Sequence, residues 1–483
     1  MPVEIFQIII WIVMEEYLSR PIPKYYQALT RMSPVCRRWA VILEETPDLW
    51  TRLSPDMDER LIDLLLSRSM QSPLTIIGDG LFSSRVVDKL LQHIHRWRAL
   101  DAKYLDKDTS DHLSVHPAPL LEELKLGLLS FGPPILLFNG SAPRLRIVHI
   151  CDYGVQWRTS VFSNLHELEL SRILQGGPDV DTFLHILANS PMLTRLGVRD
   201  TRFTHSPQSQ TRVPLPHLRD LKLENLEQDV LKQLVDAIDI PTATNCFFSV
   251  ALIHGTLIQD AMNPNYQILE PIFQRLKTLT NVSIGTRSTL TFGEPLPGSN
   301  LGLTMTYEGE ADQHGSLTAQ VATRTDRRLA VRVARYFARL LAQSVPNLVP
   351  PALHIIYPLD RAWENLYEDR IFRKVGEQLP DIEEILIEDR SDGHMRIALD
   401  LLFPIYHYIR PFYNLSTLRI RTVSHGEWAH WLQRRQERRV KEGGVYRLPL
   451  QTLILEGGRI KAGKIEVLRK LVPTLVLNDV EIR

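Results

Sequence analysis

Cysteine is nearly absent: Cys36, Cys151 and Cys246 are the only three in 483 residues. Three scattered thiols cannot build a disulfide framework, so the sequence points to a reducing compartment, cytoplasm or nucleus. Net charge is missing too. Lys plus Arg and Asp plus Glu each total 56, so no global field draws the chain to nucleic acid or to an acidic membrane. No apolar run reaches the ~20 residues that a membrane-spanning helix requires. The nearest, "IFQIIIWIVM" at residues 5–14, lies between Glu4 and Glu15-Glu16 and lacks both the basic flank and the small-residue cleavage site of a secretory signal. Catalytic signatures are also missing. There is no H-E-x-x-H, C-x-x-C or G-x-S-x-G, and His93/His95 and His425/His430 lack the i, i+4 spacing that sets two ligands on one helix face. We therefore expect no catalytic residue, no metal and no cofactor.

What is present is core-forming sequence, 44% hydrophobic and 23% charged, and too long for one ordinary compact domain unless it forms a barrel or a repeat array. The first fifty residues read as helices. Ile5, Ile8, Ile9, Ile12 and Val13 recur at helical spacing, while Phe6, Ile10 and Trp11 make the other faces apolar as well. A polar break follows at "SRPIPK". Ser33-Pro34 reads as a helix start with Val35, Trp39 and Ile42 on one stripe, and Thr46-Pro47 as a second start ending at Leu49-Trp50. So small a module buries too little to stand alone, and a helix apolar on all sides leaves surface for a second protein to cover.

Beyond residue 54 a run of the form L-x-x-L-x-L keeps returning. It appears as "LEELKL" (121–126), "LRIVHI" (145–150), "LHELEL" (165–170), "LTRLGV" (193–198) and "LRDLKL" (218–223), then as "IEEILI" (382–387), "LSTLRI" (415–420), "LQTLIL" (450–455) and "LVLNDVEI" (475–482). The early copies start roughly 20 to 28 residues apart, the period of leucine-rich repeats. Helical patterns fill the gaps at 181–190, 226–238, 327–343 and 463–472. Strand then helix, repeated without tight hairpin turns, predicts an α/β solenoid with a mostly parallel sheet. Residues 286–326, rich in Thr, Gly and Ser, predict two or three strands that interrupt the array. Side chains alternate along a strand, so Leu124, Leu126, Leu168, Leu170, Leu221, Leu223, Leu418 and Ile420 should be buried. By the same rule Glu123, Lys125, Glu167, Glu169, Arg195, Asp220, Lys222, Thr417 and Arg419 should project from the sheet as a candidate binding face.

Two motifs compete with this reading. "GRIKAGK" (458–464) has the G-x-x-x-x-G-K spacing of a phosphate-binding loop between strand and helix, but Ile465 stands where Ser or Thr would hold magnesium. A nucleotide-binding enzyme using this loop is therefore the minor alternative. Basic stretches at 324–341 and 434–444 read as solvated helix faces, so no nucleic-acid partner is expected.

The segments "MPVEIFQIIIWIV" and "LTRMSPVCRRWAVILEETPDLWTRL" together resemble an F-box, in which Val-Cys-Arg-Arg-Trp and Thr-Pro-x-Leu-Trp are the specific part. With the leucine-rich pattern behind it, the chain resembles the F-box proteins of basidiomycete fungi. It departs from the family pattern in having Met1 in place of Leu and a longer spacer, "EEYLSRPIPKYYQA". The resemblance implies a non-catalytic substrate-recognition subunit of an SCF-type cullin–RING ubiquitin ligase. An F-box domain (1–53) would bind a Skp-family adaptor and, through it, the cullin scaffold. A leucine-rich-repeat-like domain (54–483) would hold an unidentified client protein. The positions matching the family's module are Pro2, Glu4, Ile5, Ile8, Val35, Cys36, Arg37, Trp39, Leu49 and Trp50. Pro2, Ile5, Val35, Cys36 and Arg37 are expected at the adaptor interface, with Trp39 and Trp50 partly in the module's own packing. The other alternative is an F-box scaffold that serves no ligase.

Overall fold

The computed structural model describes residues 3–18, 20–81, 84–105, 107–128, 134–152, 154–204, 212–241, 244–252, 287–293, 301–308, 317–323, 352–357, 382–389, 415–422, 425 and 450–482. They form a mixed α/β protein with a helical N-terminal segment and a mostly parallel sheet. The chain divides into two compact units, Met1–Asp220 with Asp236–Pro241 and Leu221–Val235 with Thr242–Arg483. The boundary drawn at residue 53 falls inside the first of them. No helix among the described residues is long and apolar enough to cross a membrane.

Helix α1 (Val3–Leu18) contains no Gly or Pro, and α2 (Ile22–Met32) starts where Pro21 caps it and Pro23 sits in its first turn. Expectation and structure differ at Ser33-Pro34. Proline has no N–H and its ring clashes with the carbonyl four residues back, so Pro34 stops α2 instead of opening a helix. A single 3-10 turn (Ser33–Val35) follows, Cys36 is extended, and α3 runs over Arg37–Glu44. The stripe expected from Val35, Trp39 and Ile42 is consequently broken: Ile42 is buried while Val35 is 59% exposed. Thr46-Pro47 does open a turn, the 3-10 segment Pro47–Trp50.

Seven strands of the first unit each pair in parallel with the next: β1 (Arg52–Leu53), β2 (Leu74–Leu81), β3 (Trp97–Leu105), β4 (Glu123–Leu128), β5 (Ile147–Cys151), β6 (Glu167–Ser171) and β7 (Arg195–Arg199). Helix α4 (Glu59–Arg68) lies between β1 and β2, α5 (Ser84–Leu91) between β2 and β3, α6 (Lys107–Leu113) between β3 and β4, and α7 (Val180–Ala188) between β6 and β7. A side pair joins β8 (Val213–Pro214) to β10 (Ile238–Asp239). The register aligns Leu124, Val148, Leu168 and Leu196 in one row and Leu126, Ile150, Leu170 and Val198 in the next, and all eight are buried. Strands β2 and β3 precede the first leucine motif and lack its spacing, so periodicity alone did not reveal them.

Strand β9 (Asp220–Glu224) pairs with β11 (Asn245–Leu252), and α8 (Gln228–Ala237) lies between them in sequence. The stretch 286–326 contains three described strands: β12 (Arg287–Gly293), β13 (Leu301–Glu308) and β14 (Leu317–Thr323). They form an antiparallel meander. Three strands reverse direction twice, so the meander leaves in the direction in which it entered. That lets β14 pair in parallel with β11, and β12 in parallel with β15 (Ala352–Tyr357). Parallel pairing continues through β16 (Glu384–Asp389), β17 (Thr417–Thr422), β18 (Thr452–Glu456) and β20 (Thr474–Asn478). The helical patterns at 181–190, 226–238 and 463–472 become α7, α8 and α9 (Ala462–Leu471). The pattern at 327–343 and the basic stretches at 324–341 and 434–444 lie outside the described residues.

Three backbone devices recur at the strands. Before several of them a turn has proline in second place, closed by Leu121 N–H to Ala118, Leu145 to Ala142, Leu193 to Ser190 and Leu218 to Leu215. The ring presets φ for that turn position. At the strand start, Glu122, Arg146, His166, Thr194 and Arg219 each donate an N–H to the carbonyl of the equivalent residue of the strand before. At the strand end the chain turns through a left-handed residue: Asp152, Arg172, Asp200, Asn225, Gly457 and Asp479 all have φ between 47° and 67°. Asp, Asn and Gly tolerate that region best, and Arg172 is the exception. A Cβ at Gly457 would meet nothing within 4 Å. Gly457→Ala is therefore expected to cost about 1 kcal/mol through the left-handed backbone alone, read as a lowered urea midpoint, with Gly457→Asn recovering part of it.

The phosphate-loop reading of 458–464 does not hold. Arg459–Ile460 runs extended as β19, paired in parallel with β21 (Glu481–Ile482), and Gly458 accepts the N–H of Glu481. An extended, strand-paired backbone does not curl its amides around a phosphate.

Candidate functional site

Two surfaces take up the residues singled out in the sequence. The first belongs to the N-terminal helices. Phe6, Ile10 and Met14, at i, i+4 and i+8, form the buried stripe of α1. The edge of Phe6 meets the Trp39 ring at 4.6 Å between centroids, and Gln7 Nε2 donates to Thr46 Oγ1. These contacts join α1 to the α3 region. The rest of α1 remains in water: Val3, Ile5, Ile8, Ile9, Ile12 and Val13 are exposed, Ile8 at 53% and Ile12 at 62%. A continuous stripe of exposed aliphatic side chains carries a transfer cost of roughly 25 cal/mol per Å² until something covers it.

Glu4, Ile5, Ile8, Val35, Cys36 and Arg37 all present side chains to solvent, and Trp39 is half-buried against Phe6. Pro2 lies outside the described residues. Leu49 requires correction as an adaptor contact, and Trp50 lies in the module's own packing. Leu49 has no exposed surface, and Trp50 is enclosed, donating Nε1–H to the Leu43 carbonyl at 2.8 Å and stacking on Tyr26 with the Arg68 guanidinium over its ring at 4.4 Å. Both build the module's core, Leu49 without exposed surface and Trp50 between Tyr26 of α2 and Arg68 of α4.

That core also locks the helices to β1. Tyr26 Oη donates to the Arg52 carbonyl at 2.6 Å, and Arg52 Nη2 donates to the Leu18 carbonyl, satisfying one of the orphan groups at the end of α1. Burial pushes the Tyr25 hydroxyl up to about 12, with the Arg52 cation opposing, and it holds Tyr26 higher still. Both phenols therefore stay neutral, as an apolar core requires.

The second surface is the outward side of the strands. In the first unit the register sets Glu123, Ile147, Glu167 and Arg195 in one row and Asp101, Lys125, His149, Glu169 and Gly197 in the next. Lys125 pairs with Glu123, and Arg195 lies 3.6 Å from both Glu167 and Asp220. His149 Nε2 is 2.9 Å from Glu167 Oε1, and its Nδ1 is 3.8 Å from Glu169 Oε2. His149 was missed in the sequence, although the alternation in "LRIVHI" marks it as outward. In the second unit Lys222 is exposed and Thr417 half-exposed.

Arg419 is half-exposed on the same side and held in ion pairs. Its Nη1 donates to Glu456 Oε1 at 3.0 Å and its Nε lies 3.0 Å from Glu384 Oε1 as an ion pair, while Arg421 reaches Glu456 at 2.7 Å and Glu388 at 3.4 Å. The glutamates at 388 and 456 keep only 11% and 12% of their side-chain surface. Two arginines and three carboxylates thus pair in charge across three strands, so detaching Arg419 would leave half-buried acid without its counter-charge. Glu384 is part of this network.

No protein-family model matches the chain, and no curated protein matches it.

Proposed function

We propose that this chain is a non-catalytic substrate-recognition subunit of an SCF-type cullin–RING ubiquitin ligase, acting in the cytoplasm or nucleus. On this reading residues 1–53 form an F-box that binds a Skp-family adaptor through Ile5, Ile8, Val35, Cys36 and Arg37. The strands that follow form a leucine-rich-repeat-like solenoid that holds a client protein on its outward row, centred on Lys125, Glu167, Glu169 and Arg195. The observation that carries the reading is the exposed aliphatic face of α1, with Val35 also exposed, in a module whose Phe6, Ile10, Met14, Ile42, Leu43, Leu49 and Trp50 are buried in its own core. The parallel register, the proline turns and the left-handed strand ends support the repeat architecture.

The test is co-purification of the full chain with a Skp-type adaptor. Ile5→Asp combined with Val35→Asp should weaken adaptor binding at least about 50-fold, since each would bury an unpaired carboxylate at the interface. Both side chains are exposed in the free chain, so its thermal midpoint should hardly move. Undiminished binding by a folded double variant refutes the site, and no binding by the wild type refutes the function. Adaptor binding without cullin recruitment would instead leave a scaffold that serves no ligase.

A further inference from the structure

We propose that His149, Glu167 and Glu169 form a site for one divalent transition-metal cation of the zinc type. The proposal is independent of the adaptor reading. It rests on three observations on adjacent strands.

The first is geometry. Glu167 and Glu169 lie two apart on β6 and so point to the same side, and His149 on β5 is the register partner of Glu169. One ligand atom from each of the three already lies within 4.8 Å of the others. Around zinc, with bonds of about 2.0–2.2 Å, ligand atoms stand roughly 3.3 Å apart. Rotation of partly exposed side chains closes that difference without moving the backbone. Strands β5 and β6 are flanked by β4 and β7, so the three Cα positions are held by paired neighbours on both sides.

The second is charge. The nearest cations already have other acids: Lys125 pairs with Glu123, and Arg195 is shared with Asp220. Arg195 stands 3.6 Å from Glu167, beyond close hydrogen-bonding range. With a neutral imidazole the trio carries two negative charges, which match a divalent ion. One imidazole with two carboxylates suits zinc and its first-row neighbours, whereas magnesium and calcium prefer oxygen alone.

The third is room. The register partner of Glu169 on β7 is Gly197, and a Cβ there would approach Glu169 Cγ to 3.2 Å. With no side chain at 197 the Glu169 side chain rests over the glycine, and turning it back across β6 to His149 displaces no side chain of β7. Three protein ligands leave a fourth position for water or for a donor from a bound protein.

The test is calorimetric titration of Zn²⁺ into the full chain at pH 7.5 after dialysis against chelator, with circular dichroism to verify folding. Wild type should show a micromolar site that His149→Ala removes from the stoichiometry and that Glu169→Gln weakens about tenfold. Millimolar Mg²⁺ should not compete. Since Glu169 is substantially exposed, Glu169→Gln retains the fold and keeps the test valid should His149→Ala misfold. Unchanged stoichiometry and affinity in the folded variants, or no binding by wild type, would overturn the proposal.

Discussion

Leu168→Ala is expected to destabilise the first unit by about 3–4 kcal/mol, whereas Glu169→Ala, one residue on, should change its stability by less than about 0.5 kcal/mol. Leu168 is 1% exposed and has Val148 and Leu196 as its register partners on the flanking strands. Removing its isobutyl group loses the transfer free energy and also leaves a cavity that paired strands on both sides cannot collapse into. Glu169 belongs to the opposite side of the same strand and keeps about half its side-chain surface. Urea unfolding of the two variants beside wild type measures the contrast, and similar losses in both would contradict the alternation on which the binding face depends.

A loss of about 3 kcal/mol is expected for Arg96→Ala, from a position that no motif marks. Arg96 is only 3% exposed. Its Nη2 donates to the Ser69 hydroxyl and carbonyl and to the Ser72 carbonyl, which Nε also reaches. The arginine thereby ties the end of α4 to the start of β3, where Trp97 is buried and donates to the Leu90 carbonyl. Truncation would strand buried acceptors and empty the volume of a long side chain. Lysine places one compact donor where the guanidinium forks, so Arg96→Lys should recover less than half of the loss. Thermal unfolding checks both variants, and a wild-type midpoint for Arg96→Ala would show that water replaces the guanidinium at no cost.

The candidate surfaces were legible in the sequence to different degrees. The outward row could be read because period two along a strand is a local property, and Glu123, Glu167, Arg195 and Lys222 do alternate with buried leucines. His149 obeyed the same rule but went unselected, since nothing near it in sequence shows that two glutamates 18 and 20 residues on would stand beside it. Only the pairing of β5 with β6 does that. The ion pairs of Arg419 were hidden for a related reason. Its carboxylate partners lie on β16 and β18, 35 residues before it and 37 after, so local reading saw an exposed cation where register supplied two acids.

By itself the sequence determined the elements whose signal is local. It set the strands written as L-x-x-L-x-L, the inward leucines, and an interruption of two or three strands in the Thr/Gly-rich stretch. Tertiary structure alone decided which side of α1 is buried. That helix is apolar all round, so its periodicity is degenerate, and the choice of Phe6, Ile10 and Met14 came from what α2 and α3 present to it. It likewise enclosed Leu49 and Trp50, joined two carboxylates to a histidine, and tied Arg96 to the serines beyond α4. Each of these joins groups far apart in the chain, and an amino-acid pattern specifies a residue's own backbone preference but not its distant neighbour.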